Sequence, residues 1–265
     1  EFFFNEFLPM VMQANADSAA NLTGWYAPAM NIHRTPFAGR NFEYYSEDAM
    51  LSGIVGSRMV KGATGRGVMC YIKHFALNDT EQDRLGQAAW LTEQSAREIY
   101  LKAFQKALEE NDGFGGVMTA YTRWGTRWSG GNYNLMNNIM REEWGNNGFS
   151  ITDNVLVTYT NGVDGIMGGG VTTFDAMLWY VVQQLPEYEN DPVVVNAMRE
   201  ACHYNLYALA NSSAMNGIGP DSVIHAITPP ILSTVRTAMV VSWVLTLACA
   251  ALWIRGAGKL KQTEE

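Results

Sequence analysis

The sequence predicts an α/β fold: the later part of a (β/α)8 barrel of the TIM type, its N-terminal units missing, followed by a C-terminal transmembrane helix. Three observations predict it. Short apolar, β-branched runs alternate with helical stretches of roughly ten or more residues, the pattern of parallel βαβ units. One such run, Phe149-Ser150-Ile151-Thr152, stops at a carboxylate, Asp153, and strand ends in such barrels point into the active site. Residues 237–254 carry no charge and, as a helix, would span about 27 Å, close to the roughly 30 Å hydrocarbon core of a bilayer. About five strands are visible where a closed barrel has about eight, so the sequence holds part of a barrel.

The elements follow in order. Residues 5–20 form a helix, with Phe7, Val11 and Ala14 near one face. A strand over 24–32 leads into a polar, aromatic loop over 33–48, and 49–64 is helical in pattern. Residues 68–75 are a strand, apolar until Lys73-His74. A helix over 91–110, apolar at Ile99, Phe104 and Leu108, is stopped by Asn111-Asp112-Gly113. A strand over 116–121 and a helix over 135–144 come next. Gly145-Asn146-Asn147-Gly148 then opens the buried strand over 149–152. A further strand is expected over 162–167, ahead of Gly168-Gly169-Gly170, and helices over 174–185 and 193–211. Gly219-Pro220 and Pro229-Pro230 mark a linker. The expected organisation is a partial barrel over 1–217, a linker over 218–230, a transmembrane helix over 231–255 and a tail over 256–265.

The apolar stretch has a bland alternative, a buried core helix, but its length without charge favours a span. Arg236 is the only close basic residue before it, whereas Arg255, Lys259 and Lys261 follow. The bias of positive charge puts the tail in the cytoplasm and the large domain outside, as a single-pass protein of the cell membrane. The opening Glu1-Phe2-Phe3-Phe4-Asn5 has no basic leader before an apolar core and is not a signal peptide, so the chain is expected to begin inside a domain.

Composition sets limits. The 265 residues are 48% hydrophobic and 17% charged, with a net charge of −8, which argues against nucleic acid as a partner. Cys70, Cys202 and Cys249 have no metal-ligand spacing and imply no disulfide framework. No phosphate loop, dinucleotide fingerprint, serine elbow or His-Glu-x-x-His occurs, and His33 and His74 lack partners at metal-ligand spacing, so neither metal nor cofactor is expected. Asn21, Asn78 and Asn211 fit the glycosylation pattern, with Asn78 too near the expected site to be a good acceptor.

The strand ends collect Arg40 (in the loop after the first strand), Lys73 and His74, Tyr121 and Asp153. Each alone reads as a core ion pair, a satisfied histidine or a helix cap. Together they read as a site. Arg, Lys and His supply fixed donors for the hydroxyls of one sugar ring, a phenol donates beside them, and a carboxylate faces an electron-poor carbon.

The same residues carry a resemblance. The Ala-Pro…Asn-Ile…Gly-Arg-Asn-Phe-Glu-Tyr-Tyr-Ser-Glu-Asp block over 27–48 and the Lys-His-Phe…Asn-Asp-Thr-Glu…Arg block over 73–84 resemble family 3 glycoside hydrolases, the β-glucosidase and β-xylosidase group. Val117-Met118-Thr119-Ala120-Tyr121 and Arg141-Glu142-Glu143-Trp144-Gly145…Ile151-Thr152-Asp153 continue it, over roughly 1–217. The resemblance implies retaining hydrolysis of terminal β-linked sugars, with Asp153 the nucleophile that forms the glycosyl-enzyme and Arg40, Lys73, His74 and Tyr121 holding the sugar. Arg40 and Lys73 are expected to keep Asp153 ionised.

Departures from the family pattern matter too. The family's acid/base, usually a glutamate in a separate α/β domain, cannot be placed. Glu43, Glu47 and Glu81 read as structural ion-pair partners instead. The first barrel strands are absent, which fits a permuted subgroup whose extra domain and first strands lie upstream. Ala76-Leu77-Asn78 disfavours a subgroup with a His-Asp acid/base. The expected substrate is a β-linked oligosaccharide or β-glucoside. The alternative is a non-catalytic, membrane-tethered carbohydrate-binding barrel.

Overall fold

The structure, a computed structural model, describes residues 23–110, 113–173, 184–216, 218–223 and 230–263. The helix expected over 5–20 and most of that over 174–185 lie outside them. By its internal contacts the chain divides into Glu1–Gly217 and Ile218–Glu265.

The first unit is built on a five-stranded, all-parallel sheet: β1 (Gly24–Trp25), β2 (Met69–Phe75), β4 (Gly116–Thr119), β7 (Ser150–Thr152) and β8 (Val171–Thr173), side by side in that order. Parallel strands between covering helices are buried on both faces, which is why β2 and β4 read as near-continuous apolar runs. Alternate residues of β2 serve opposite faces. Cys70 and Ile72 pack with Val60, Phe104, Leu108 and Met140 of the helical layer. Met69 and Tyr71 pack with Met118, Ile151 and Ala208 on the other side.

That helical layer comprises α1 (Ala49–Thr64), α2 (Glu93–Ser95, a π-helical Ala96–Tyr100, then Lys102–Glu109) and α3, π-helical over Asn134–Glu143. Asp48 caps α1 by accepting from Leu51 N, and Asp191 caps α5 (Pro192–Asn211) by accepting from Val193 N and Val194 N. β3 (Ala88–Ala89), β5 (Arg123–Trp124) and β6 (Arg127–Trp128) form a second, three-stranded sheet, whose Ala89 and Trp124 pack against the core.

Two expectations are corrected. Residues 162–167 are not a strand: Gly162–Gly169 is helix α4, and the fifth strand is β8. Asn161 is its N-cap, accepting from Asp164 N at 2.8 Å and donating to the Asp164 carboxylate at 2.8 Å, a reciprocal cap legible in Asn-x-x-Asp. The glycines that follow are packing devices. A Cβ on Gly168 would stand 2.5 Å from Gly131 Cα, and Gly170 ends the helix at φ +71°. The second correction concerns 24–32, where only Gly24–Trp25 pairs as strand, followed by a single bridge from Ala29 to Lys73.

In the second unit α6 runs over Pro230–Thr263. Its Ile231–Arg255 stretch, 25 residues with none buried, is long and apolar enough to cross a membrane.

Candidate active site

Parallel strands put their carboxyl ends at one edge of the sheet, and the chemistry-bearing side chains collect there. β2 ends through Lys73 and His74, β4 is followed by Ala120-Tyr121, and β7 delivers Asp153, whose N–H donates to Thr119 O at 3.2 Å.

The Asp153 side chain is 14% exposed. Oδ1 accepts from Asn154 N at 2.8 Å. Oδ2 stands 3.7 Å from His74 Nε2 and 3.9 Å from Arg84 Nη1, both beyond hydrogen-bond length. Around it runs a charge network. Arg84 Nη1 lies 3.1 Å from Glu81 Oε2, and Arg40 Nη1 lies 3.6 Å from Glu81 Oε1. Arg40 Nε donates to Glu43 Oε1, and Lys73 Nζ lies 3.5 Å from Glu43 Oε2. Three cations, Arg40, Lys73 and Arg84, thus stand among three carboxylates, Glu43, Glu81 and Asp153. Glu47 makes no ion pair among the described residues. It lines a cavity of about 730 Å³ with Met50, Arg97 and Glu143, apart from this cluster.

Burial pushes the Asp153 carboxyl above the usual carboxylate range, against the Asn154 N–H, Arg84, Arg40 and Lys73, which all pull it down. Arg40 and Lys73 thus act in the expected direction, favouring the ionised form, while desolvation is the larger influence and opposes them. His74, 2% exposed, is pushed well below its ordinary pKa by burial first, then by Arg40, Lys73 and Arg84. It stays neutral.

Tyr121 is also 2% exposed, and its hydroxyl donates to Asn154 O. Arg84 lies over its ring, 5.0 Å from the centroid. Tyr121 therefore braces the Asp153-Asn154 turn and Arg84 from behind. Arg84, Tyr44, Asn78 and Asn31 stand in the sequence blocks that carry the resemblance, but the sequence gives none of them a role in the site. Asn31 clamps the backbone of His74, accepting from its N–H at 2.8 Å and donating to its carbonyl at 3.2 Å. The available signal was Arg84 itself, a cation three residues after Glu81 in the block that begins at Lys73.

Residues 10–168 match the model of the glycosyl hydrolase family 3 N terminal domain, more than half of the chain. The chain belongs to that family. Similar proteins include β-glucosidase A of Butyrivibrio fibrisolvens, 41% identical over 133 residues, and β-glucosidase B of Emericella nidulans, 41% identical over 127. Those matches cover 50% and 48% of this chain but only 16% and 15% of the relatives. Among solved structures, β-glucosidase 3B of Thermotoga neapolitana in complex with glucose superposes with a TM-score of 0.69 at 32% identity, over 82% of this chain and 32% of that one. A β-glucosidase from Paenibacillus barengoltzii gives 0.71 at 26% identity, over 84% of this chain and 25% of that one. These likenesses support the α/β half-barrel reading of the sheet.

Proposed function

We propose that this chain carries the nucleophile side of a retaining β-glucosidase site, with Asp153 as the nucleophile. One observation carries the reading: the Asp153 carboxylate closes β7 with Oδ1 fixed by a backbone N–H, while Oδ2 faces His74 and Arg84 with no hydrogen bond to either. An oxygen held in place but not engaged is what attack on an anomeric carbon needs.

In the first step Oδ2 forms a bond to that carbon as the bond to the leaving oxygen breaks, and an acid gives that oxygen its proton. In the second, water displaces Asp153 and gives its proton to the same base. Arg40, Lys73 and His74 hold ring hydroxyls, with Arg84 beside them, and Tyr121 supports the turn. We place the acid/base outside this sequence: among the described residues, Glu43 and Glu81, the carboxylates in the charge network around Asp153, are already engaged by Arg40, Lys73 and Arg84. An upstream α/β domain bearing that glutamate, together with the strands that complete a (β/α)8 barrel, is part of the same proposal. A complete reading frame encoding neither would overturn that part.

In the complete protein, Asp153→Asn is expected to lower hydrolysis of an aryl β-glucoside by roughly 10³-fold or more. Unchanged hydrolysis would overturn the assignment.

A further inference from the structure

We infer that Tyr44 is a positioning residue that sets the tautomer of His74: its hydroxyl donates to Nδ1, which leaves the imidazole hydrogen on Nε2, facing Asp153. What that hydrogen does for a sugar depends on the function proposed above; where it sits does not.

A carboxylate can only accept. Glu81 Oε1 lies 3.0 Å from the Asn78 side-chain amide, so the amide atom placed there is Nδ2. The same Nδ2 is 3.1 Å from Tyr44 Oη and directs its second hydrogen to it. Tyr44 Oη is thereby an acceptor, and its own hydrogen goes to one of two groups in reach, His74 Nδ1 at 3.2 Å or Asn78 O at 3.4 Å. The nitrogen is nearer. Accepting there, Nδ1 is bare, and a neutral imidazole then carries its hydrogen on Nε2.

The other side of the ring agrees. Nε2 faces Asp153 Oδ2 at 3.7 Å, and the opposite tautomer would aim a lone pair at a carboxylate oxygen. Burial makes errors costly: Tyr44 is 5% exposed, His74 and Asn78 2% each, and an unmet hydrogen bond at such depth is expensive. Burial also raises the Tyr44 phenol, which keeps its hydrogen. Glu81 joins this relay to the ion network, because its other oxygen pairs with Arg84.

The test labels the imidazole nitrogens of the complete protein and reads the His74 tautomer by NMR. The wild type is expected to show His74 protonated on Nε2 alone. Tyr44→Phe keeps the buried ring and removes the donor; it is expected to bring in the Nδ1-protonated form and to lower kcat/KM for an aryl β-glucoside about tenfold. A wild-type His74 protonated on Nδ1 overturns the inference, and so does a Tyr44→Phe protein with an unchanged tautomer. Should Tyr44→Phe not fold, the wild-type spectrum decides alone. If the tautomer moves as expected in a protein that hydrolyses no β-glucoside, the relay stands and the proposed function falls.

Discussion

Asp79 and Asp153 are two buried carboxyls that follow strand ends of the same sheet, and burial raises the pKa of both. Their surroundings separate them. Asp153 has three cations pulling against burial, so it remains the carboxyl that can work as an anion, though only at a pH above what an ordinary carboxylate requires. Asp79, 5% exposed, is opposed only by exposed Arg34 and a hydrogen bond from the Ile32 backbone, and it is pushed up to about 7. A carboxyl whose pKa is raised on folding favours its protonated form in the fold. Its contribution to stability is full below the ordinary pKa near 4 and is lost as pH rises through about 7. Asp79→Asn, which stays neutral, is therefore expected to stabilise the protein at pH ~8 by at most about 4 kcal/mol and to leave it unchanged at pH ~4. Chemical denaturation at the two pH values checks this, and a larger gain at the lower one would contradict it.

At the scale of elements, the segments around β7 and β8 are held by one buried side chain. Arg141, at the end of α3, donates to Gly169 O at 3.1 and 2.7 Å, to Asn146 O at 3.3 Å and to Gly148 O at 3.0 Å. It lies over the Tyr204 ring of α5, 3.4 Å from the centroid. Burial lowers its pKa to about 10, with Tyr204 and Glu200 opposing. No lysine reproduces that fork of donors. Arg141→Ala is expected to cost about 3 kcal/mol or more, because buried carbonyls lose their partner, and calorimetry or denaturant unfolding reads it. A loss below about 1 kcal/mol would contradict the role.

Much of this scale was legible from sequence. The strands at 69–75, 116–119 and 150–152 and the helix at 49–64 announce themselves as apolar runs and periodic stretches between Gly and Asn clusters. Val163, Ile166 and Met167 give 162–167 the pattern of a short apolar strand, but the reciprocal cap of Asn161 and Asp164 starts a helix there. The two-residue strands β3, β5 and β6 carry too little pattern to be read. The site was legible as residue types at strand ends, but Arg84 and Tyr44 reach it from loops, where no periodicity points.

At the scale of the whole molecule, α6 sets the remaining expectation. We propose that Ile231–Arg255 spans a membrane, with the Arg255, Lys259 and Lys261 side cytoplasmic and the sheet-bearing unit outside. The complete protein is then expected in the membrane fraction, resistant to alkaline carbonate and released by detergent, while a version ending at Val223 is soluble. Recovery of the complete protein in the soluble fraction would contradict the span.

The proposed chemistry needs one covalent bond in that molecule, and trapping it is the most direct measurement. The complete protein is treated with a 2-deoxy-2-fluoro β-glucoside bearing a good leaving group, then digested and mapped by mass spectrometry. The label is expected on the peptide containing Asp153 and absent from Asp153→Asn. A label on any other residue, or turnover of β-glucosides by the Asp153→Asn protein at the wild-type rate, would contradict the account.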